Sequence, residues 1–101
     1  MTKVSRRWMS PQQQKGLVRD LWKGLDILDS KERKLLLQLL LTHTETKMLS
    51  KRLAALKLLQ KKESYFQIGE KLKLTPTTIN RLSNILQRYD DSLPKILFRL
   101  S

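Results

Sequence analysis

Apolar residues recur along the chain at three- and four-residue spacing, which is the period of an amphipathic helix. The first series follows Ser10-Pro11, a capping residue and then the proline that suits a first helical turn. We expect a helix there whose apolar face holds Leu17, Leu21, Leu25 and Leu28. Ser30 is expected to cap a second helix, which contains "KERKLLLQLLL". Because nearly every side of that helix is apolar, it should be buried on several faces.

Two further capping patterns divide the middle of the chain. Thr42 and Glu45 form a Thr-x-x-Glu box, which predicts a third helix reaching about Lys61. Its apolar face is expected to hold Leu49, Leu53, Leu56 and Leu59. A Ser-x-x-Gln box at Ser64 begins a fourth, short helix that ends near residues 72–73. Strand-like alternation and hairpin turns are missing from the sequence, so the expected fold class is all-α.

The next segment, "IGEKLKLTPTTINRL" at residues 68–82, has a proline in the middle of a helical pattern. A proline inside a helix removes an amide donor and clashes with the preceding turn, whereas it fits the first turn of a new helix. Thr75 stands before Pro76 as a cap. The segment is therefore expected to be two helices joined by a turn.

Two residues around this turn indicate a helix-turn-helix, in which two short helices cross closely, and a third departs from the motif. Gly69 leaves space for the second helix, and Leu74 is expected to point inward from the turn. Lys73 occupies the turn position that usually takes glycine because its φ is positive, so local strain is expected there. Apolar residues at three- and four-residue spacing also occur in the cores of helical bundles that bind no DNA.

The second helix of this motif begins with short polar side chains that suit base edges in a major groove. The candidates for base reading are Thr75, Pro76, Thr77, Thr78, Asn80 and Arg81. Cationic and amide side chains flank the same region and suit DNA phosphates. The candidates for phosphate contact are Lys61, Lys62, Gln67, Lys71 and Lys73.

The charge of the chain points to a polyanionic partner. The sequence has 21 Lys and Arg against 9 Asp and Glu, a net charge of +12, and a pI near 10.4. Ten of the cations lie in residues 47–88, together with two carboxylates. Double-stranded DNA is the expected partner, and an anionic membrane surface is the second candidate. The basic arm holding Lys3, Arg6 and Arg7 either contacts the DNA backbone or is a solvated tail.

The features of a membrane protein or a secreted protein are missing from the sequence. The longest apolar run, residues 35–41, is too short to span a bilayer and is interrupted by Gln38. No signal-peptide core follows Arg6 and Arg7. The sequence contains no cysteine, which suits a reducing compartment. We therefore expect a cytoplasmic protein with no membrane partner.

The stretch from "LTHTETKMLSKRL" to "TPTTINRLSNIL" resembles the Trp repressor superfamily, and especially its YerC/YecD-type members. The resemblance implies an all-α, multi-helical fold with a helix-turn-helix, in which two chains form an intertwined homodimer that binds operator DNA. It also implies a single DNA-binding domain over residues 1–101. The N-terminal arm and dimerisation helices would occupy 1–41, the helix-turn-helix 64–88, and a C-terminal helix 92–101.

The resemblance also identifies candidate ligand contacts. In the tryptophan-binding members, residues matching Thr42, Arg52 and Arg81 help to hold the amino acid. The pocket of those members has glycine at the Leu82 position and serine at the Ile85 position. A leucine there would fill the space of the indole ring, so we expect no tryptophan corepressor and no other cofactor. Arg52 would then have a structural role at the dimer interface.

Catalytic and metal chemistry find little support in the sequence. His43 is the single histidine and is expected to be exposed in the first turn of a helix, with no metal or general-base role. No phosphate loop or zinc spacing occurs, so we expect no enzyme, no catalytic residue and no metal site.

The expected function is that of a sequence-specific transcriptional regulator, with repression as the expected mode. A homodimer would insert the reading helix of each chain into the major groove. The alternative is a nucleoid-associated or RNA-binding basic module that grips phosphates without reading bases. The operator, the regulated genes and any small-molecule effector stay open at this point.

Overall fold

The computed structural model describes residues 8–89 and 92–100 of the 101-residue chain. Within these ranges the backbone forms six helices and no strand, which confirms the expected all-α class. The helices are α1 (Pro11–Ile27), α2 (Ser30–Leu40), α3 (His43–Gln60), α4 (Tyr65–Leu72), α5 (Pro76–Arg88) and α6 (Ser92–Arg99). The basic arm with Lys3, Arg6 and Arg7 lies outside the described residues.

Capping boxes set where α1 and α3 begin. The Ser10 hydroxyl accepts a hydrogen bond from the Gln13 amide at 3.1 Å, and Gln13 Oε1 accepts from the Ser10 amide at 2.9 Å. The Thr42 hydroxyl accepts from the Glu45 amide at 3.0 Å, and Glu45 Oε1 accepts from the Thr42 amide at 2.9 Å. These bonds satisfy N-terminal amides that have no partner within the helix, as the sequence predicts.

The prediction that Ser30 caps α2 is wrong. The cap is Asp29, whose carboxylate accepts from the Glu32 amide at 2.8 Å, while Glu32 Oε1 accepts from the Asp29 amide at 3.0 Å. Ser30 is instead the first residue of the helix. The reason is reciprocity: Asp29 is followed three residues later by a glutamate, whereas Ser30 is followed at that spacing by Arg33, which has no acceptor to offer.

The chain divides into two compact units, one ending at Thr46 and the other beginning at Lys47. In the first unit, α1 and α2 hold no buried residue. The side chains of Ile27 and Leu39, for example, are 81% and 80% exposed. The apolar segment at residues 35–41, which the sequence predicts to be buried, is therefore not covered within a single chain. The expectation of a single domain stays a prediction.

The second unit contains a hydrophobic core. Its buried residues are Ala55 and Leu59 of α3, Ile68 of α4, and Ile79 and Leu82 of α5. Full burial of one leucine or isoleucine side chain stabilises a fold by about 1.5–3 kcal/mol. The cluster therefore fixes α4 and α5 against the C-terminal half of α3.

The apolar face of α3 differs from the predicted one. Leu59 is buried, but Leu49 and Leu53 are exposed. Ala55, which the predicted stripe omits, is completely buried in the core. A small side chain at this position lets neighbouring helices approach α3 closely. The core-facing side of α3 therefore includes Ala55 rather than only leucines.

The last helix is anchored to the same unit. Leu97 of α6 is 2% exposed. In addition, Gln60 Nε2 at the end of α3 donates to the Pro94 carbonyl oxygen at 3.1 Å. The hydrogen bond joins the first turn of α6 to the end of α3, and the burial of Leu97 shows that α6 packs against the chain.

Candidate nucleic-acid interface

The helices α4 and α5 approach each other at Gly69. A Cβ atom built on Gly69 would lie 3.1 Å from the Leu74 carbonyl oxygen and 3.5 Å from Ile79 Cδ1. The first distance is closer than ordinary van der Waals contact, so the missing side chain permits this approach. Leu74 packs against the core from the turn. Both features agree with the predicted helix-turn-helix.

The turn between these helices is shaped by Lys73. This residue ends α4 with φ 56° and ψ 50°, in the left-handed region, as the sequence predicts. Its amide and the amide of Leu74 both donate to the Gly69 carbonyl oxygen, the latter at 3.3 Å. The last turn of a helix leaves carbonyl groups without partners, and these bonds satisfy one of them. The chain is thereby turned sharply into α5.

The start of α5 is fixed by Thr75 and Pro76. The Thr75 hydroxyl accepts from the Thr78 amide at 3.3 Å and donates to Thr78 Oγ1 at 3.1 Å. Pro76 occupies the first turn, where an amide hydrogen would have no partner within the helix, so its absence costs no hydrogen bond. The two threonine hydroxyls are therefore hydrogen-bonded to each other at the surface. A base-reading role for Thr75, Pro76 and Thr78 stays a prediction.

One face of α5 forms an open groove of about 470 Å³. The side chains that border it recur every three or four residues, the interval that places them on one helix face. They are Thr77, Asn80, Arg81, Asn84, Ile85 and Arg88. The five polar members are all exposed. The other side of α5 carries Ile79 and Leu82 into the core, so the helix presents a polar face held on a rigid support.

Two of these groove residues, Asn84 and Arg88, are not among the predicted base readers. Their spacing could have identified them, because they continue the series from Thr77 and Arg81 at three- and four-residue steps. The predicted base readers lie in the first turns of the helix. The structure extends the polar face to the end of α5.

The predicted phosphate contacts lie at three helix ends. Lys61 and Lys62 are exposed where α3 ends, and Lys73 is exposed where α4 ends. Gln67 is in the first turn of α4, where its backbone amide donates to the Ser64 hydroxyl at 3.1 Å. Lys71 is in α4 and forms an ion pair with a carboxylate of the same unit. Contact with phosphate stays a prediction for all five candidates.

A second cavity, of about 340 Å³, lies between α3 and α5. It contains Arg52 and Arg81, two of the three candidate ligand contacts. Its full lining is Met48, Lys51, Arg52, Leu74, Thr78, Arg81, Leu82 and Ile85. The third candidate, Thr42, belongs to the first unit and caps α3. The pKa of the Glu45 carboxyl is lowered, mainly by the hydrogen bond from the Thr42 backbone amide and to a smaller extent by a hydrogen bond with the Thr42 side chain.

The described residues offer no cluster of His, Asp or Glu side chains placed to hold a metal ion. His43 is exposed in the first turn of α3, where the sequence predicts it. Across the described ranges, no helix combines the length and the apolar character needed to cross a bilayer.

A sequence model of the family described as Trp repressor protein matches residues 19–101, which include α2 to α6 and the C-terminal half of α1. No curated protein and no solved structure has significant similarity to the chain.

Proposed function

The chain belongs to the Trp repressor family, and from this premise we propose that it is a sequence-specific DNA-binding regulator of transcription. In this proposal α5 is the reading helix and lies in the major groove. The polar face of α5, where Thr77, Asn80 and Arg81 border an open groove, supports this role most directly. In a major groove, arginine pairs with guanine and asparagine with adenine. The protein would act in the cytoplasm.

The dimensions of the motif suit this role. A helix of 13 residues is about 20 Å long, and a major groove about 12 Å wide admits it. The Lys73 turn and the Thr75 cap hold the N-terminal end of α5 in place. Lys61 and Lys62 supply positive charge at the end of a neighbouring helix of the same unit. Such lysines contact the phosphates that flank the bases being read.

We propose that two copies bind DNA together. The helices α1 and α2 expose apolar side chains along their length, among them Trp22, Ile27 and Leu39. Large contiguous apolar surfaces of this kind mark obligate interfaces. A two-fold dimer would place two copies of α5 in successive major grooves about 34 Å apart, so the operator would be a pseudo-palindrome. Repression would follow from occupying that operator.

We also propose that binding needs no tryptophan. Leu82 and Ile85 line the cavity beside Arg52 and Arg81, at the two positions where the tryptophan-binding members resembled by this sequence have glycine and serine. Leu82 is 6% exposed and is part of the core, so its side chain cannot swing away without opening that core. The cavity is therefore narrowed on the side where an indole ring would lie.

The experiment measures affinity for a duplex selected from random sequences and for a scrambled duplex. Thr77→Ala and Asn80→Ala should each weaken binding to the selected duplex by about 1–3 kcal/mol and hardly change binding to the scrambled one. Gln87→Ala is the matched control, because Gln87 lies on α5 beside Pro94 and away from the polar groove. The same titrations with millimolar tryptophan should give unchanged affinities.

Two results would count against the proposal. If Thr77→Ala and Asn80→Ala weakened both duplexes equally, α5 would grip DNA without reading it, and the chain would be a nucleoid-associated or RNA-binding module. If tryptophan tightened binding to the selected duplex, the corepressor proposal would fail while the reading role of α5 would stand.

A further inference from the structure

An ion pair joins the segment between α3 and α4 to a lysine of α4, and this lysine belongs to the proposed DNA-contacting surface. Lys71 Nζ donates to Glu63 Oε1 at 2.9 Å. The side chain of Lys71 is 56% exposed and that of Glu63 is 25% exposed. Exposed pairs of this kind are weak and exchange partners readily. The Lys71 ammonium group, which is a candidate for phosphate contact, is therefore already bonded to Glu63. Because the pair is weak, this bond can be broken when DNA binds.

The backbone holds Glu63 firmly in this position. Lys62 adopts a left-handed conformation with φ 65° just after α3. Its amide donates to the Leu59 carbonyl at 3.0 Å, and the Glu63 amide donates to the Leu58 carbonyl at 3.1 Å. This pair of bonds is the Schellman closure of a helix C-terminus. The backbone of Glu63 is thus fixed by one of the two closure bonds, and its carboxylate reaches Lys71 on the next helix.

The charge around the pair makes the carboxylate unusual. Residues 47–88 contain ten Lys and Arg but two acidic residues, Glu63 and Glu70. Glu70 is exposed and directly precedes Lys71 in α4, yet among the described residues it is Glu63 that binds this ammonium. The positive charge of this surface favours DNA binding. A lysine that is bound to a carboxylate, however, is not available to contact a DNA phosphate.

We propose that Glu63 competes with DNA phosphate for Lys71, so that this lysine is held in the free protein and must be released when DNA binds. The inference rests on the proposed DNA-binding function. A lysine that binds a phosphate displaces one condensed cation, which contributes about 0.9 to the slope of log affinity against log salt. When Lys71 leaves Glu63, however, an ion pair is broken, and salt favours that step because it screens the attraction between the two charges. The two salt effects at Lys71 oppose each other, so its share of the slope is small, whereas Lys73, for which no ion pair with another described residue is found, contributes its full share.

The experiment compares Glu63→Gln with Glu70→Gln on one duplex across a range of salt concentrations. Both variants raise the net charge by one within the same short stretch, but Glu63→Gln alone frees Lys71. Glu63→Gln should steepen the salt slope by about 0.9 and tighten binding about fivefold near 0.15 M salt. Glu70→Gln should leave the slope close to that of the natural protein.

Lys71→Gln completes a double-mutant cycle. In the natural background it should change the slope little, while in the Glu63→Gln background it should remove the whole gain of about 0.9. Lys73→Gln in the natural background should make the slope shallower by about 0.9 and sets the scale for an unpaired lysine. If Glu63→Gln did not fold, the contrast between Lys71→Gln and Lys73→Gln would still decide the matter.

Equal slopes for Glu63→Gln and Glu70→Gln would overturn the inference, as would a loss of slope in Lys71→Gln as large as that in Lys73→Gln. If those results came with the expected losses in Thr77→Ala and Asn80→Ala, the proposed function would stand and the role of Glu63 would fall. If the natural protein bound no duplex, both would fall together.

Discussion

At the scale of single residues, two lysines adopt the backbone conformation that glycine usually takes. Lys62 and Lys73 have φ angles of 65° and 56°. A side chain in the left-handed region costs roughly 1–2 kcal/mol. Both lysines follow a helix and both are exposed on the proposed DNA-contacting surface. Each turn therefore gives up some stability and keeps a positive charge where glycine would leave none.

Lys73→Gly should make the protein about 1 kcal/mol more stable than Lys73→Ala, because glycine relieves the left-handed strain and alanine keeps its Cβ atom. Both variants remove the same charge, so the difference isolates the backbone. Urea denaturation of the two proteins measures it. Equal midpoints and equal slopes would show that the turn carries no strain.

Single-residue features were predictable from the sequence where a neighbouring residue marks them. The positive φ of Lys73 follows from its place between a short helix and Thr75-Pro76, which fixes the length of the turn. The positive φ of Lys62 does not, because no proline, glycine or asparagine marks the end of α3. The cap of α2 was missed because both Asp29 and Ser30 are good capping residues, and the choice between them depends on Glu32.

At the scale of elements, the crossing of α4 and α5 depends on one missing side chain. Gly69→Ala would place a methyl group 3.1 Å from the Leu74 carbonyl oxygen, which belongs to the backbone of a tight turn. We expect a net loss of about 1 kcal/mol, since overpacking costs about 1–3 kcal/mol and alanine returns up to about 1 kcal/mol of helix propensity. Thermal unfolding measures the change.

Gly24→Ala in α1 is the matched control for that substitution. Apart from its two chain neighbours and the backbone of its own helix, no described residue has an atom within 4 Å of a Cβ atom built on Gly24. The substitution should therefore show the gain in helix propensity without the clash. Should Gly69→Ala stabilise the protein as much as Gly24→Ala does, the close approach at Gly69 would not be a constraint.

The elements that the sequence predicts best are those with a cap at one end and a turn at the other. The bounds of α1, α4 and α5 follow from Ser10, Ser64 and Thr75. The face of α3 does not, because leucines occur around much of this helix and their spacing does not say where neighbouring helices pack. Ala55 is buried at that contact, and an alanine carries too weak an apolar signal to identify it.

At the scale of the whole molecule, the two units differ in how they are stabilised. The second has a core, built around Ile68 and Ile79. The first has none of its α1 or α2 residues buried. The sequence predicts burial for residues 35–41, but none of them is buried in the single chain, and the sequence does not identify a surface that would cover them. A second copy is the covering surface that we propose.

Sedimentation at micromolar concentration should accordingly give about twice the 11.9 kDa mass of one chain. Leu39→Glu places a charge on an apolar side chain that is 80% exposed in the single chain, and it should shift the protein toward lower mass because a buried unpaired charge is costly. Gln38→Glu adds the same charge at the neighbouring polar position and should leave the mass unchanged. A stable, folded monomer of the natural sequence would contradict the dimer.

The uncovered helices α1 and α2 also affect how the protein responds to its own abundance. A chain that lacks its own cover for these helices gains stability by pairing, so the population of paired chains depends on concentration. Where unpaired chains predominate, halving the number of chains leaves roughly a quarter of the pairs by mass action. Operator occupancy would then change more steeply than expression does, and a newly synthesised chain would stay exposed to proteolysis until it met a second one.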